Sequence, residues 1–365
     1  MPRVAQPTAS TAPYEVHEWG LLRAAAGDVL EVGAVAPPGV VEVMVVDKPV
    51  LYFHASAPVQ VERVRVEAVG GAIREHWPLT TASPFPTAIE WRGMALDLAE
   101  SAGGAACAGS YPAISARPCT DLARGEECES AGLAPLVSTS ATCLQASASR
   151  LPFLFYRSRT STFTPPLRII ALPSGELRVT NSGDAAIPGW LVRMRRSNGQ
   201  VRTIAVAAPA AHATITVGSD FASATIPTAD TPPGDEDVLP MVDRPALPGS
   251  QEPGRQAVRL TMDQLGLDGG ETDAFLRAWD SALFGDRVVP LAEMPVRVAG
   301  AGHTRVVDIP PVDELTDRRG VNDLQETDSI LYFLPQAACD GVARLQFTPP
   351  PTRVNRALAI WQLAR

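Results

Sequence analysis

The five histidines are the side chains of this sequence best suited to bind a metal ion or carry a proton near neutral pH. Two of them lie in strand-like segments, His17 in VHEWG and His54 in KPVLYFHA. Because side chains alternate along a strand, His17 shares a face with Trp19, and the glutamate between them points the other way. If the two histidines meet across paired strands, two imidazoles with Glu15 or Asp47 could bind zinc or copper. The alternative is that both are structural histidines in an aromatic neighbourhood.

A second group combines tryptophan with charged residues. His76 and Trp77 occur in REHWPL, and Trp91 occurs in IEWR. A tryptophan between charged residues can stack on a sugar ring or on a cation. His76, Trp77, Trp91 and also Trp19 are therefore candidate ligand-binding residues, with a carbohydrate or a protein as the partner. The alternative is that these rings cover the edge of a sheet.

Two loops gather carboxylates. Asp268 and Glu271 enclose two glycines, and the range 230–237 holds four acidic residues. Either loop could hold calcium, although neither has the alternating pattern of an EF-hand. A helix cap explains the first pair, and a solvated linker explains the second group.

The motifs of several common enzyme classes are absent from the sequence. It contains no Gly-rich phosphate loop, no H-E-x-x-H, no G-x-S-x-G and no kinase signature. The first functional hypothesis is therefore a non-catalytic binding or cell-envelope protein. The alternative is a metal-dependent enzyme that uses zinc or copper at His17 and His54 with nearby acids. A divalent metal is the one possible cofactor, and the sequence requires none.

Four of the five cysteines fall in one segment rich in Gly, Ala, Ser and Pro: Cys107, Cys119, Cys128 and Cys143. Structural zinc sites pair cysteines two to four residues apart, and no pair here has that spacing. The segment favours two disulfides with the pairing left open, and hence an oxidising compartment. The alternative is that all five are reduced in a cytosol. Cys339 is the unpaired one and fits a buried or half-buried free thiol.

Composition excludes some partners. The chain has 365 residues, with 31 basic against 40 acidic residues and a net charge of −9. This balance argues against nucleic acid as a partner. No segment reaches the roughly 18 consecutive apolar residues that cross a bilayer. Residues 1–13 lack the pattern of an export signal and are typical of the spacer that follows a removed one.

The spacing of prolines and glycines cuts the apolar residues into strand-length pieces and predicts a mainly β protein. The predicted organisation is a β-sandwich over residues 14–218 with a Cys-containing insertion at about 99–150. A linker or long loop over 219–256 and an α+β region over 257–365 follow. In the last region, the capping pair Asp268 and Glu271 begins a helix over about 269–284.

Four strings together carry a resemblance: VHEWG, KPVLYF, LPFLFYR and the helix GGETDAFLRAWDSALFG. The chain resembles an uncharacterised group of bacterial proteins found in myxobacteria, planctomycetes and their relatives. Proteins of that group are often exported, so the resemblance implies an extracytoplasmic location, periplasmic, cell-envelope or secreted, and a β-rich body. It implies no catalytic role.

Overall fold

The computed structural model describes residues 12–24, 44–80, 86–96, 107, 136–138, 140–146, 149–160, 163–197, 200–228, 251–285 and 327–364. The prediction of a mainly β protein is confirmed in these residues. They form three sheets, which we call sheets A, B and C. The strands are β1 Ala12–Ala24, β2 Met44–Ala55, β3 Val59–Ala68, β4 Gly71–Trp77, β5 Ala88–Leu96, β6 Leu144–Ala146, β7 Ser149–Leu151, β8 Leu154–Thr160, β9 Leu167–Ala171, β10 Leu177–Asn181, β11 Trp190–Ser197, β12 Gln200–Ala207, β13 Thr214–Val217, β14 Thr327–Phe333, β15 Ala343–Thr348 and β16 Pro351–Leu363.

Sheet A has eight strands in the order β12-β11-β14-β16-β1-β2-β8-β4. It is mixed, because β1 runs parallel to β16 and antiparallel to β2. Sheet B has the order β15-β3-β5-β6-β7, and sheet C has the order β13-β10-β9. Sheet A therefore combines strands from both sides of the predicted linker.

Strand β14 shows why the middle of sheet A is so apolar. Leu331 and Phe333 belong to one buried core cluster, and Ile330 and Tyr332 belong to the other. The strand is thus buried on both faces, and such strands read as continuous apolar runs without alternation. The histidine-bearing strand β1 lies beyond β16 in this central part of the sheet.

Three helices are described: α1 Glu252–Gln264, α2 Gly269–Leu283 and the short α3 Gln336–Cys339. Helix α2 is the predicted helix, and its capping box is present in both directions. Helix α1 begins inside the predicted linker, so the interpretation of residues 252–256 as linker was wrong. A Cβ at Gly254 would lie 2.8 Å from the Phe284 ring, so glycine permits the close packing of this helix.

Within the described residues, no helix combines the length and the apolar character that spanning a membrane requires. Three other predictions fall wholly or mostly outside these residues: the leader over 1–13, whose last two residues belong to β1, most of the Cys-containing insertion, and the acidic loop over 230–237.

Candidate metal site

Strands β1 and β2 bring the two candidate histidines together. The strands pair antiparallel, with Glu15 opposite His54 and His17 opposite Tyr52. His17 and His54 are therefore diagonal neighbours on one face of sheet A. Their ring centroids lie 4.2 Å apart. The geometric condition for a shared site is met.

Helix α2 supplies the acid of this cluster from its first turn. The side chain of Asp268 accepts a hydrogen bond from the backbone N–H of Glu271, and the Glu271 carboxylate accepts one from the N–H of Asp268. The helix dipole also favours a negative charge at this position. The capping box thus begins the helix and fixes the orientation of the Glu271 side chain.

Two contacts align the helix with strand β1. The Glu271 carboxylate forms a hydrogen bond with the His17 ring. Four residues later in the helix, Phe275 packs edge-on against Trp19, with ring centroids 5.5 Å apart. Four residues of helix advance about 6 Å, and two residues of strand advance about 6.7 Å. The two pairs therefore match in spacing, and the helix lies along the strand with Glu271 above the histidines.

The Glu271 carboxylate binds both imidazoles. Its Oε2 lies 2.8 Å from Nδ1 of His17, and its Oε1 lies 2.7 Å from Nε2 of His54. The Glu271 side chain is fully buried, whereas those of His54 and Asp268 are 22% and 32% exposed. Nε2 of His54 also lies 3.9 Å from Oδ2 of Asp268. The cluster is therefore closed at Glu271 and open to solvent at His54 and Asp268.

These contacts shift the acidity of the cluster. Burial lowers the pKa of His54, but the hydrogen bond to Glu271 and the negative charges of Glu271, Asp268 and Glu15 outweigh burial and raise it above 6.5. Burial raises the pKa of Glu271, but the hydrogen bonds from His17 and His54 outweigh burial and lower it. Both shifts favour an ionised carboxylate beside a charged imidazole.

The donor atoms of His17, His54, Asp268 and Glu271 all lie within 4.8 Å of one another. Bonds of about 2.0–2.2 Å to a tetrahedral zinc ion would place its ligands roughly 3.3 Å apart, so small movements of these side chains would suffice. Two neutral imidazoles and two carboxylates also balance a charge of +2. Nitrogen and oxygen donors of this kind suit zinc or copper rather than calcium, which takes oxygen ligands only.

A disulfide-anchored segment borders the open side of the cluster. The N–H of Thr142 donates to the carbonyl of Phe53 over 2.7 Å, and the hydroxyl of Ser140 donates to Oδ2 of Asp268 over 2.5 Å. Cys143, next in the chain, forms a disulfide with Cys107. Cys119 and Cys128 lie outside the described residues, so one of the two predicted disulfides is present and the other stays a prediction. Cys339 is a buried free thiol, as predicted.

Of the predicted acidic partners, Glu15 is a peripheral neighbour, with Oε2 3.7 Å from Nε2 of His17. The side chain of Asp47 lies outside the described part of the chain. The acids whose oxygens join both histidines in one donor group are Asp268 and Glu271. The sequence predicted this pair as a helix cap. Because a cap already accounts for both acids, their contact with the two histidines was not predicted.

Of the four predicted ligand-binding residues, His76, Trp77 and Trp91 form a group that does not include the histidines of the candidate metal site. Trp19 is not part of that group. Trp77 and Trp91 are 3% and 4% exposed, and Nε1 of Trp91 donates to the carbonyl of Pro78. Nε2 of His76 accepts a hydrogen bond from the N–H of Thr80 over 3.0 Å. Trp19 is fully buried beneath helix α2. These are packing and turn contacts, and a ligand for this group stays a prediction.

Comparisons of the chain with protein-family models, with curated proteins and with solved structures find no match.

Proposed function

We propose that this protein binds one divalent transition-metal ion, with zinc as the first candidate, through His17, His54 and Glu271. Asp268 supplies the fourth donor. The observation that carries the proposal is the convergence of two imidazoles from paired strands on one fully buried carboxylate. The proposal takes the metal from the alternative hypothesis of the sequence and replaces Glu15 and Asp47 with the acids of helix α2.

The nature of the partners of Glu271 supports a metal. The polar contacts of this carboxylate among the described residues are the two imidazoles and the N–H of Asp268. A buried carboxylate needs a compensating positive charge. An imidazole supplies that charge only when it is protonated, and a divalent cation supplies it at any pH at which the imidazoles are free to bind.

The competing role is structural. The same His–Glu–His contacts would hold helix α2 on sheet A with no metal present. Glu271 is fully buried, whereas His54 and Asp268 are partly exposed to solvent. This difference favours the metal, because a purely structural contact has no need of an opening at His54 and Asp268. In this proposal, the buried Glu271 and His17 form the floor of the site, and the more exposed pair faces solvent.

We propose three further hypotheses from the sequence alongside the metal site, and the metal site does not depend on them. They are the β-sandwich arrangement of residues 14–218, the extracytoplasmic location, and a carbohydrate or protein partner. For the sandwich, the edge-on contact of Phe53 in sheet A with Phe347 in sheet B supports face-to-face packing of these two sheets, with strands β14–β16 extending it beyond the predicted boundary at residue 218. For the location, the Cys107–Cys143 disulfide supports an oxidising compartment.

The deciding experiment is elemental analysis of the full chain, purified without a polyhistidine tag and dialysed against metal-free buffer after loading with zinc. We expect one zinc per chain, and loss of that zinc in His17→Ala and in His54→Ala. His212→Asn is the matched control, because His212 is exposed and has a positive φ that asparagine accepts. A wild-type protein that retains no zinc, and that gives no binding signal when titrated with zinc or copper, would refute the proposal.

A further inference from the structure

Asn355 contacts Nε2 of His17, the ring nitrogen that does not face Glu271. Strand β16 runs parallel to β1, with Asn355 in register with His17. The side-chain nitrogen Nδ2 of Asn355 lies 3.2 Å from Nε2 of His17 and donates to the carbonyl of Gly266 over 2.8 Å. Asn355 therefore joins strand β16, the histidine and the loop between α1 and α2.

The Gly266 carbonyl determines which way the Asn355 amide faces. A carbonyl oxygen can only accept, so the amide atom that faces it must be the NH₂ group. The approach is close, because a Cβ at Gly266 would lie 2.7 Å from Nδ2 of Asn355. Gly266 also has a φ of +82°, which favours glycine. The same NH₂ group directs its second hydrogen at His17.

The proton on His17 follows from this orientation. Because Asn355 donates, Nε2 of His17 must accept, and a neutral imidazole that accepts at Nε2 carries its proton on Nδ1. That Nδ1–H donates to Oε2 of Glu271 over 2.8 Å. In this arrangement Nδ2 of Asn355, both ring nitrogens of His17 and both carboxylate oxygens of Glu271 each have a hydrogen-bond partner.

We infer that Asn355 is a positioning residue of the proposed metal site, which turns Nδ1 of His17 toward the cluster and keeps the proton there while no metal is bound. This inference rests on the proposed function, because it concerns how readily His17 becomes a ligand. In this inference Asn355 restricts metal binding at His17, in addition to its structural contact between β16 and the loop at Gly266.

The restriction arises from the proton balance of metal binding. To bind a metal ion through Nδ1, His17 would have to release the Nδ1 proton to solvent and take up a proton on Nε2. The new Nε2–H would then face the NH₂ group of Asn355, donor against donor. To relieve this clash the amide must turn over and give up its bond to Gly266, or the ring must shift toward Glu15, whose Oε2 lies 3.7 Å away. Ligand histidines usually donate their other N–H to an acceptor, and Asn355 offers a donor instead.

The first test needs no variant. The ¹⁵N chemical shifts of the His17 ring, measured by NMR on the metal-free full chain, report which nitrogen carries the proton. We expect protonated Nδ1 and unprotonated Nε2. The pH is raised until the ring is uncharged, and a neutral ring that carries its proton on Nε2 would overturn the inference. Because it needs no metal, this measurement stays decisive even if the protein binds no zinc and the proposed function fails.

The second test is Asn355→Asp, which replaces the donor with an acceptor of nearly the same shape. We expect Nε2 to become protonated and zinc to bind about tenfold or more tightly, within the usual range for such partners. Arg353→Gln is the charge control, because it changes the net charge by the same amount on the same strand and leaves the contacts of Asn355 in place. Thr203→Val is the stability control, because it removes a comparably buried hydrogen bond, from Gly254, far along the sheet. Tighter binding without a change of the His17 proton, or no tighter binding with that change, would contradict the inference.

Discussion

His17 and Glu18 are consecutive residues of β1 whose side chains lie on opposite faces of sheet A and in opposite chemical situations. His17 joins His54 around the carboxylate of Glu271, close to a solvent-exposed rim. Glu18 is itself the carboxylate of the second group, and its partners are Arg356 and Tyr156. Each group centres on a fully buried carboxylate with two polar side chains as partners, and these side chains differ.

The Glu18 group is neutralised permanently. Nε of Arg356 lies 2.5 Å from Oε2 of Glu18, and the hydroxyl of Tyr156 donates to Oε1 over 2.6 Å. Burial lowers the pKa of Arg356, but the negative charge of Glu18 outweighs burial and raises it above its usual range. Burial, followed by the charge of Glu18, raises the pKa of the Tyr156 hydroxyl. No proton in this group can leave near neutral pH.

The difference separates a structural ion pair from a site that can exchange its cation. A guanidinium cannot give up its proton in a protein, and it has no lone pair for a metal. An imidazole can do both. The two groups are also linked, because Glu18 and Arg356 are register partners next to His17 and Asn355. The ion pair therefore helps to hold β1 and β16 in the register that places Asn355 beside His17.

The comparison predicts its largest effect at Arg356. In Arg356→Met, Glu18 stays buried without its cation, and removing one partner of a buried pair costs about 3–5 kcal/mol. We expect a loss of that size in the free energy of unfolding, measured with urea. Arg353→Met is the control, because Arg353 lies on the same strand with a side chain 63% exposed. A loss below about 1 kcal/mol at Arg356 would show that the Glu18 group is not the fixed ion pair described here.

The second largest effect on stability is expected on the other face of sheet A, at Glu271. Zinc at a hundredfold excess over its dissociation constant stabilises a protein that binds it by about 2.7 kcal/mol. We expect wild type to show this gain in urea unfolding and Glu271→Gln to lose it, because the amide lacks the charge that zinc requires. Tyr156→Phe should keep the gain, since it alters only the Glu18 group. An equal gain in wild type and Glu271→Gln would place the zinc elsewhere.

Local patterns predicted part of this arrangement. Alternation along β1 put His17 and Trp19 on one face, and the D-x-x-E spacing predicted the first turn of α2 together with its capping box. His17 and His54 were the predicted histidine pair, and β1 and β2 do pair. The alternation and the capping pair arise within about ten residues of chain, where side-chain periodicity and capping act, whereas the histidine pair was a hypothesis that depended on the two strands meeting.

The remaining contacts depend on pairings distant in sequence. Glu271 is 254 positions from His17, and Asn355 is 338 positions from it. No local pattern indicates that α2 lies along β1 or that β16 runs parallel to it. Helix α1 was missed for another reason: Pro253 and Gly254 in its first turn are typical of a linker, and tertiary packing against Phe284 decides in favour of helix.

A smaller effect concerns pH in the metal-free protein. The pKa of His54 is raised in the folded state, so its contribution to stability is complete below the unfolded value near 6.5 and is lost as pH rises through the folded value. We therefore expect His54→Gln to lower the free energy of unfolding by about 1–2 kcal/mol at pH 5.5, and by less at pH 8.5. The measurement is urea unfolding with a chelator present, with His212→Asn as the control. A cost that grows with pH would contradict the assignment of Glu271 as the partner of a charged His54.

The smallest effect should arise at the rim of the cluster. The hydroxyl of Ser140 donates to Oδ2 of Asp268, the oxygen nearest to His54. Because both side chains are partly in solvent, water replaces this hydrogen bond in Ser140→Ala, and we expect a loss of stability of about 0.5 kcal/mol. Zinc affinity should change by less than about threefold, because the variant frees the Asp268 oxygen for the metal while loosening its position. A calorimetric zinc titration checks this expectation. A tenfold or larger change would mean that Ser140 is itself a ligand, and the donor set of the site would have to be revised to include its hydroxyl.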